Sequence, residues 1–325
     1  MLVKLAHKGV LRTDEKKQCW ERSTNMQTIC AIILDYFGSS KTIACLTSLL
    51  DQGLDSVMVV DNSGDRQANI QLQDALTEFR QHELPFIIHQ IVNPKNLGYA
   101  AGVNNALRWL EKNNPHHYYL IINNDAEATP GMLKSLHQFM LEHERTAIAA
   151  PLIDTGHGII SFQWYQRLTG LMFMRHVIGT FPYLSGCCLL VDRRILDNGL
   201  FDEDFFMYGE DVALCWRLSL SSWNISSVDQ AIIQHEGVGS SHQGGFFYEY
   251  HMVRGHLLLA KKLAREKWEI PFLFLGRMLF ITARAILRAI RFRSFIPITA
   301  SLAALRYRKI AIEKLNINTG TAPHD

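Results

Sequence analysis

The sequence lacks the glycine cradles of two large nucleotide-binding classes. No GxGxxG follows a strand-like run and no GxxxxGK[ST] occurs anywhere, which disfavours a nicotinamide-type oxidoreductase and a P-loop enzyme. Paired cysteines are also missing. The six cysteines (19, 30, 45, 187, 188 and 215) include no CxxC, and several lie in apolar runs. That excludes a zinc ribbon and a disulfide framework, and fits buried thiols in a reducing cytoplasm. Residues 1–25 are polar and mixed in charge, without the apolar h-region of a secretory signal. The apolar pattern starts at Met26, so the expectation is a functional start there and a poorly ordered extension over 1–27. Large net charge is absent too: +2 over 325 residues, with 48% hydrophobic residues. This argues for a globular chain without a nucleic-acid partner.

What is present is alternation. TICAIILDYF (28–37), DSVMVVDNSGD (55–65), PFIIHQIV (85–92) and HYYLII (117–122) read as strands. Between and after them, 39–53, 66–82, 96–113 and 130–143 carry helical spacing, the last with Pro130 at its start. Four strand–helix alternations in about 120 residues predict βαβ units and a mostly parallel sheet covered on both faces. Polar residues recur at the strand carboxyl ends: Asp35, Asp61 and Asn123-Asn124-Asp125. Open α/β sheets keep their ligands at those ends. Beyond residue 150 the alternation becomes irregular, with a strand at 185–192, a helix opening at Glu210-Asp211 and a short strand ending near His235.

Without a glycine cradle, a diphosphate is most simply held through a divalent cation, and Asp125 with Asn123 offers it oxygen ligands. An Asn/Asp turn capping the next helix explains the same residues. Glu210 and Asp211 open GEDVALCWR, where the helix dipole favours negative charge on structural grounds alone. A helix N-terminus also aims a general base. His235 stands alone, and a lone histidine is more often structural than a ligand.

Seven segments together resemble inverting glycosyltransferases of family 2, in the rhamnosyltransferase-like branch. They are ILDYFGSSKTIACLTSL, VMVVDNSGD, NPKNLGYAAGVNNAL, YYLIINNDAEATPGML, LSGCCLLVDRRIL, GLFDEDFFMYGEDVALCWRL and AIIQHEGVGSS, in the family's order over about 28–245. The resemblance implies a GT-A-type, Rossmann-like α/β sandwich over 28–265. It implies that Asp61 reads the donor nucleobase, that Asp35 meets the nucleotide, and that Asn96 and Gly98 begin a loop along the donor. It makes Asn123-Asn124-Asp125 the counterpart of the DxD motif, with Asp125 as carboxylate ligand to Mg²⁺ or Mn²⁺ and His235 as a further metal or diphosphate ligand. Asp211 becomes the catalytic base, with Glu210 beside it. Two positions depart from the family pattern: Asn123 replaces the first carboxylate of DxD, and Asp35 stands where the branch more often has Asn. The implied reaction moves a sugar from a nucleotide-sugar to a lipid-linked glycan of the bacterial envelope, O-antigen or capsule. L-rhamnose from dTDP-rhamnose is the leading donor, with UDP-galactofuranose or a UDP-hexose as alternatives. A degenerate member that binds without turnover is the alternative of another class.

The chain's basic excess lies in its tail. Residues 261–325 hold 13 Lys/Arg against 4 Asp/Glu, a net +9 that leaves −7 for the rest. In FLFLGRMLFITARAILRAIRF, Arg277, Arg284, Arg288 and Arg291 fall within about 60° of one another on a helix. A basic stripe on an apolar helix predicts an interfacial extension over 266–325, touching the cytoplasmic membrane face through 271–312. The recurrent arginines make it a poor spanning helix. An ordinary helical cap with arginines facing water is the other reading.

Overall fold

The computed structural model describes residues 27–235 and 245–306. The expected extension through residue 26, the loop carrying His242, and the segment with Arg308 and Lys309 lie outside the described residues.

The first half alternates as the sequence predicts: β1 (Ile29–Asp35), α1 (Ser39–Ser48), β2 (Ser56–Asp61), α2 (Arg66–Phe79), β3 (Ile87–Val92), α3 (Tyr99–Asn113) and β4 (Tyr118–Asn123). Then come β5 (Ala126–Ala128), α4 (Met132–Glu142), β6 (Thr146–Asp154), β7 (Ile159–Ile160), β8 (Gln163–Gln166), β9 (Met172–Phe173), β10 (Thr180–Tyr183) and β11 (Cys188–Asp192). The chain continues through α5 (Glu210–Ser219), β12 (Asn224–His235), α6 (Phe246–Lys262), α7 (Ile270–Phe292) and α8 (Ile296–Leu305).

The main sheet runs β3-β2-β1-β4-β11-β6-β12-β5, with β7 paired to β6. Its first four strands are parallel, β11 inserts antiparallel between β4 and β6, and β12 returns parallel to β6. Strands β1 and β2 are buried on both faces, which is why they read as continuous apolar runs and not as alternating ones. On β1, Ala31 and Ile33 pack with α1, α2 and α4, while Cys30 and Ile32 pack with α3 and α5. The sheet is therefore the middle of a sandwich, with its carboxyl ends free for a site. A small sheet, β10-β8-β9, packs against α5 and closes one side. All five cysteines among the described residues are free and buried.

The C-terminal helical extension is present, but its arginines point differently from both sequence readings. Arg277 is 0% exposed, and Arg284 and Arg288 pair at 2.6 Å with Glu249 of α6, itself fully buried. Three of the stripe's four arginines, Arg277, Arg284 and Arg288, thus face inward on α7, and Arg291 is exposed. What faces out is apolar: Leu275 is 61% exposed, Leu279 68% and Ile290 70%, with Phe272, Ile286 and Leu287 beside them. Helical spacing showed the stripe but not which side carried a partner, and the partner is a glutamate 35 residues upstream. The segment Lys267–Phe292 is long and apolar enough to cross a membrane by length and composition. It packs along α6, however, and α8 closes against both.

Candidate active site

A cleft of about 340 Å³ opens at the carboxyl ends of β1 and β4. Asn96, Gly98, Asn123, Asn124, Asp125, Glu210, Asp211 and His235 all line it, so most of the residues singled out in the sequence meet in one place.

Asp125 and His235 meet because short β5 pairs antiparallel with the end of β12, setting His235 opposite Ala126. His235 Nε2 lies 3.1 Å from Asp125 Oδ1. Burial pushes the Asp125 carboxyl up, but the His235 hydrogen bond and Lys41 outweigh it and hold the group below the usual range. The same bond, with a second to the Cys187 sulfur, lifts the His235 imidazole to about 10. Without a cation the two form an ion pair.

Among the described residues no cluster of three or more His, Cys, Asp or Glu could hold a metal by itself. One carboxylate and one imidazole in a cleft fit a hard cation that takes its other ligands from substrate phosphates and water. Asn123 and Asn124 adjoin this pair. Asn124 Nδ2 points to the Gly38 carbonyl at 3.5 Å and Thr42 Oγ1 at 3.3 Å, which holds it against the start of α1.

Asp211 is aimed by the start of α5. Tyr208 and Gly209 both have positive φ, 66° and 104°, and this tight left-handed turn delivers Glu210 and Asp211 to the cleft. Left-handed backbone at a non-glycine such as Tyr208 is costly and persists where the surroundings impose it. The α6 backbone supplies that constraint, since a Cβ at Gly255 would lie 2.3 Å from the Tyr208 carbonyl. The Asp211 carboxylate accepts the Tyr183 hydroxyl at 2.6 Å, the Gly186 N–H at 3.2 Å and the Val212 N–H at 2.8 Å. Burial raises its pKa while these bonds oppose the rise. Glu210 is more deeply placed, and its Oε2 has no partner. Burial, then the neighbouring Asp211 charge, pushes it up to about 8. The two carboxyls thus divide: Asp211 is the better-stabilised anion and Glu210 the protonated neighbour.

Asp35 and Asp61 sit side by side at the ends of β1 and β2 but are buried beneath the cleft. Asp35 accepts from Thr42 Oγ1 at 2.6 Å and Gly38 N–H at 3.4 Å, tying the β1–α1 turn. Asp61 accepts from the Ser63 backbone and hydroxyl and from Asn69 Nδ2. In this state both serve the loops that shape the site.

Several residues at the site were not singled out in the sequence. Asn62 spends both ends of its amide on the loop between Asn93 and Gly98. Its Nδ2 donates to Asn96 Oδ1 and the Gly98 carbonyl, and its Oδ1 accepts from Asn93 Nδ2 and the Leu97 N–H. Gly98 has φ 82°, and a Cβ there would lie 2.3 Å from the Phe206 carbonyl, so only glycine lets this loop dock. Tyr99, Tyr208, Tyr248 and Cys187 complete the walls. The aromatic residues are distant in sequence, and only the turn before α5 and the start of α6 bring them together.

Residues 31–200 match the family model described as glycosyl transferase family 2. The chain belongs to glycosyl transferase family 2. Curated relatives of this transferase include a low-salt glycan biosynthesis hexosyltransferase of Haloferax volcanii, 25% identical over 220 residues. That match takes in 64% of this chain and 66% of the relative, just under two thirds of its length. An N-acetylglucosaminyl-diphospho-decaprenol L-rhamnosyltransferase of Mycobacterium tuberculosis is 26% identical over 250 residues, 67% of this chain and 78% of that one. In fold, the transferase is similar to a mannosyltransferase of Pyrobaculum calidifontis solved with GDP-Man and Mn²⁺. The TM-score is 0.56 at 12% identity, over 87% of this chain and 88% of that one. It is also similar to GalNAc-T7 solved with UDP, GalNAc and Mn²⁺, with a TM-score of 0.51 at 14% identity, over 71% of this chain and 48% of that one. The GT-A-type fold expected from the seven segments is the fold observed.

Proposed function

We propose that this family member is an inverting hexosyltransferase that uses a nucleotide-sugar donor and extends a lipid-linked glycan of a bacterial envelope polysaccharide. L-rhamnose from dTDP-rhamnose is the leading donor, supported by the rhamnosyltransferase among its relatives. The observation that carries the reading is the shared cleft, in which the Asp125–His235 pair and the Asp211 carboxylate line one cavity.

The donor lies along Asn96–Tyr99, with its diphosphate toward Asp125 and His235. These two residues would hold a divalent cation, Mg²⁺ or Mn²⁺, which when bound supplies positive charge to the diphosphate leaving group. Asp211 accepts the proton of an acceptor hydroxyl. That oxygen bonds to the anomeric carbon from the face opposite the leaving group, and the anomeric C–O bond breaks with its electron pair leaving on the nucleoside diphosphate. One displacement inverts the anomeric centre. Tyr183 and the Gly186 N–H keep Asp211 turned toward the cleft. Positioned general bases contribute about 10²–10⁴-fold.

The exposed apolar face of α7 supports peripheral attachment to the cytoplasmic face of the membrane, where a lipid-linked acceptor resides. Residues 28–265 are read as the catalytic domain and 266 onward as its membrane-facing extension.

The test begins with thermal shift of the full chain with dTDP-rhamnose, UDP-galactose, UDP-galactofuranose and GDP-mannose, each with Mn²⁺ and with EDTA. One donor should raise Tm by a few degrees only with the cation. Asp211→Asn should keep that shift and lose about 10²-fold or more in turnover. Full turnover in Asp211→Asn removes this residue from the reaction. A folded protein that no nucleotide-sugar stabilises turns the reading toward a degenerate binding protein.

A further inference from the structure

A single exposed leucine needs no explanation, but a contiguous apolar patch does. Between β8 and β10 the chain runs through residues 167–179, with β9 inside, and turns its apolar side chains out. Ile178 is 90% exposed and Met174 67%, with Leu168, Leu171, Met172 and Val177 close by in sequence and also exposed. The segment's backbone is tied to itself. The Gln166 N–H donates to the Leu171 carbonyl, the Gln166 carbonyl accepts from Gly170, and the Arg167 N–H donates to the Gly179 carbonyl. Gln166 Oε1 accepts the Leu168 and Thr169 N–H groups, and the Thr180 hydroxyl accepts the Val177 N–H and donates to the Val177 carbonyl. Backbone groups already paired in this way can leave water without being stranded.

This segment docks on α7. A Cβ at Gly276 would lie 2.6 Å from the Leu168 side chain, so the glycine makes room for that leucine. At ~100° per residue, Gly276 falls inside the ~120° arc that holds Phe272, Leu275, Leu279, Ile286, Leu287 and Ile290, all of them exposed. Leu168 therefore sits on the outward face of α7, and the two elements form one apolar surface. Trp268, 68% exposed, stands just before α7 at the same end, and indole rings favour the boundary between water and lipid.

The exposed charge of these stretches has one sign. The sequence has no Asp or Glu between Asp154 and Asp192, and none between Glu269 and the end of α8 at Leu305. Within them Arg175, Arg291 and Arg293 are exposed. The carboxylates at their borders are occupied: Asp154 accepts the Gly156 N–H, Glu266 caps the turn ahead of α7, and Glu269 pairs with Arg167. Glu249 is buried beneath α7 between Arg284 and Arg288. A second copy of the same patch would offer these arginines no carboxylate. An anionic phospholipid surface matches both halves of the pattern, the apolar side chains and the cations among them.

We propose that residues 167–179 are a second membrane contact, which enters the headgroup boundary of an anionic phospholipid bilayer beside α7. Met174 and Ile178 bury in that boundary, and Arg175 between them meets lipid phosphates. A helix lying alone on a surface can roll about its own axis. A second contact off that axis stops the roll and holds the cleft at one angle to the membrane. The small sheet is what this contact secures, and its β10 carries Tyr183, which donates to Asp211 at 2.6 Å. The proposal builds on the α7 reading above and adds to it a separate element and a lipid class.

The test is sedimentation of the full chain with vesicles of mixed phosphatidylglycerol and phosphatidylcholine, against vesicles of phosphatidylcholine alone. Binding should be about tenfold or more tighter on the anionic vesicles. Met174→Ser with Ile178→Ser, both exposed, should weaken it about tenfold or more and leave Tm unchanged. Arg175→Gln should weaken it about fivefold on anionic vesicles and leave binding to neutral ones as it was. Equal binding to the two vesicle types, or unchanged binding to anionic vesicles in either variant, would overturn the proposal. So would a lipid-free dimer that the Met174 and Ile178 changes convert to a monomer, since the patch then belongs to a second copy. Leu275→Glu with Leu279→Glu separates the proposal from the α7 reading. Weakened binding in that pair alone keeps α7 and sinks the segment, and weakened binding in the Met174 and Ile178 pair alone keeps the segment and sinks α7. A wild type that binds neither vesicle sinks both.

Discussion

At the scale of single residues, the site works by giving neighbouring groups different environments. Glu210 and Asp211 are adjacent in sequence, yet Asp211 accepts three hydrogen bonds while Glu210 Oε2 has none. The consequence for stability has a definite sign. Glu210 is pushed up to about 8 by burial and then by Asp211, so the folded chain binds a proton there that the unfolded chain releases near the ordinary glutamate range. Its contribution is fully present below that range and is lost as pH rises toward 8. Glu210→Gln removes the titration. Its Tm should equal that of the wild type near pH 4.5 and exceed it increasingly up to about pH 8.5. A Tm difference that does not change across this range would show that Glu210 is already ionised in the folded protein. Such residue-level detail was only half visible in the sequence. The ED pair was visible because its neighbours in sequence mark a helix start. The Tyr183 hydroxyl that orients Asp211 lies 28 residues away and has no local signature.

At the scale of elements, the parallel half of the sheet was legible because β1, β2 and β4 are buried on both faces and each helix follows within a few residues. The second half was not. β11 was read as a strand, but its insertion between β4 and β6 is a pairing choice that no local pattern encodes. The β5–β12 pairing that joins Asp125 to His235 spans 110 residues. Helix α7 shows the same limit in another form. Its arginine stripe is correctly spaced, but periodicity gives a face and not its direction. Because Glu249 draws the stripe inward, two kinds of substitution should separate cleanly. Leu275→Glu with Leu279→Glu, both exposed, should change stability by about 0.5 kcal/mol or less per site and shift the protein from membrane pellet to supernatant. Glu249→Gln strands two buried guanidinium groups and should cost about 3–5 kcal/mol in a urea melt. A double leucine variant that still pellets like the wild type would remove α7 as the membrane contact.

At the scale of the whole molecule, the boundary drawn near residue 265 meets a packed interface. Tyr250 and Val253 of α6 form a buried cluster with Ile281 of α7 and Ala300 and Ala304 of α8. Arg167, beside β8, pairs with Glu269, and the Arg167 guanidinium also stands 4.9 Å from the Trp216 ring of α5. The tail therefore completes the wall on which the small sheet and α5 rest. A chain ending at residue 266 loses that cluster and leaves Glu249 buried without either arginine. Its Tm should fall by roughly 6–20 °C relative to the full chain, the range that losing about 3–5 kcal/mol implies for a domain of this size. Nucleotide binding, proposed above to draw on Asn96–Tyr99, Asp125 and His235, all upstream of the cut, should survive in whatever fraction folds. If the shortened chain instead melts at the temperature of the full one, the tail is a separable appendage and the boundary at 265 is a true domain limit. The packing predicts the fall, and for that reason membrane attachment is better tested by the exposed leucines of α7 than by cutting the helix away.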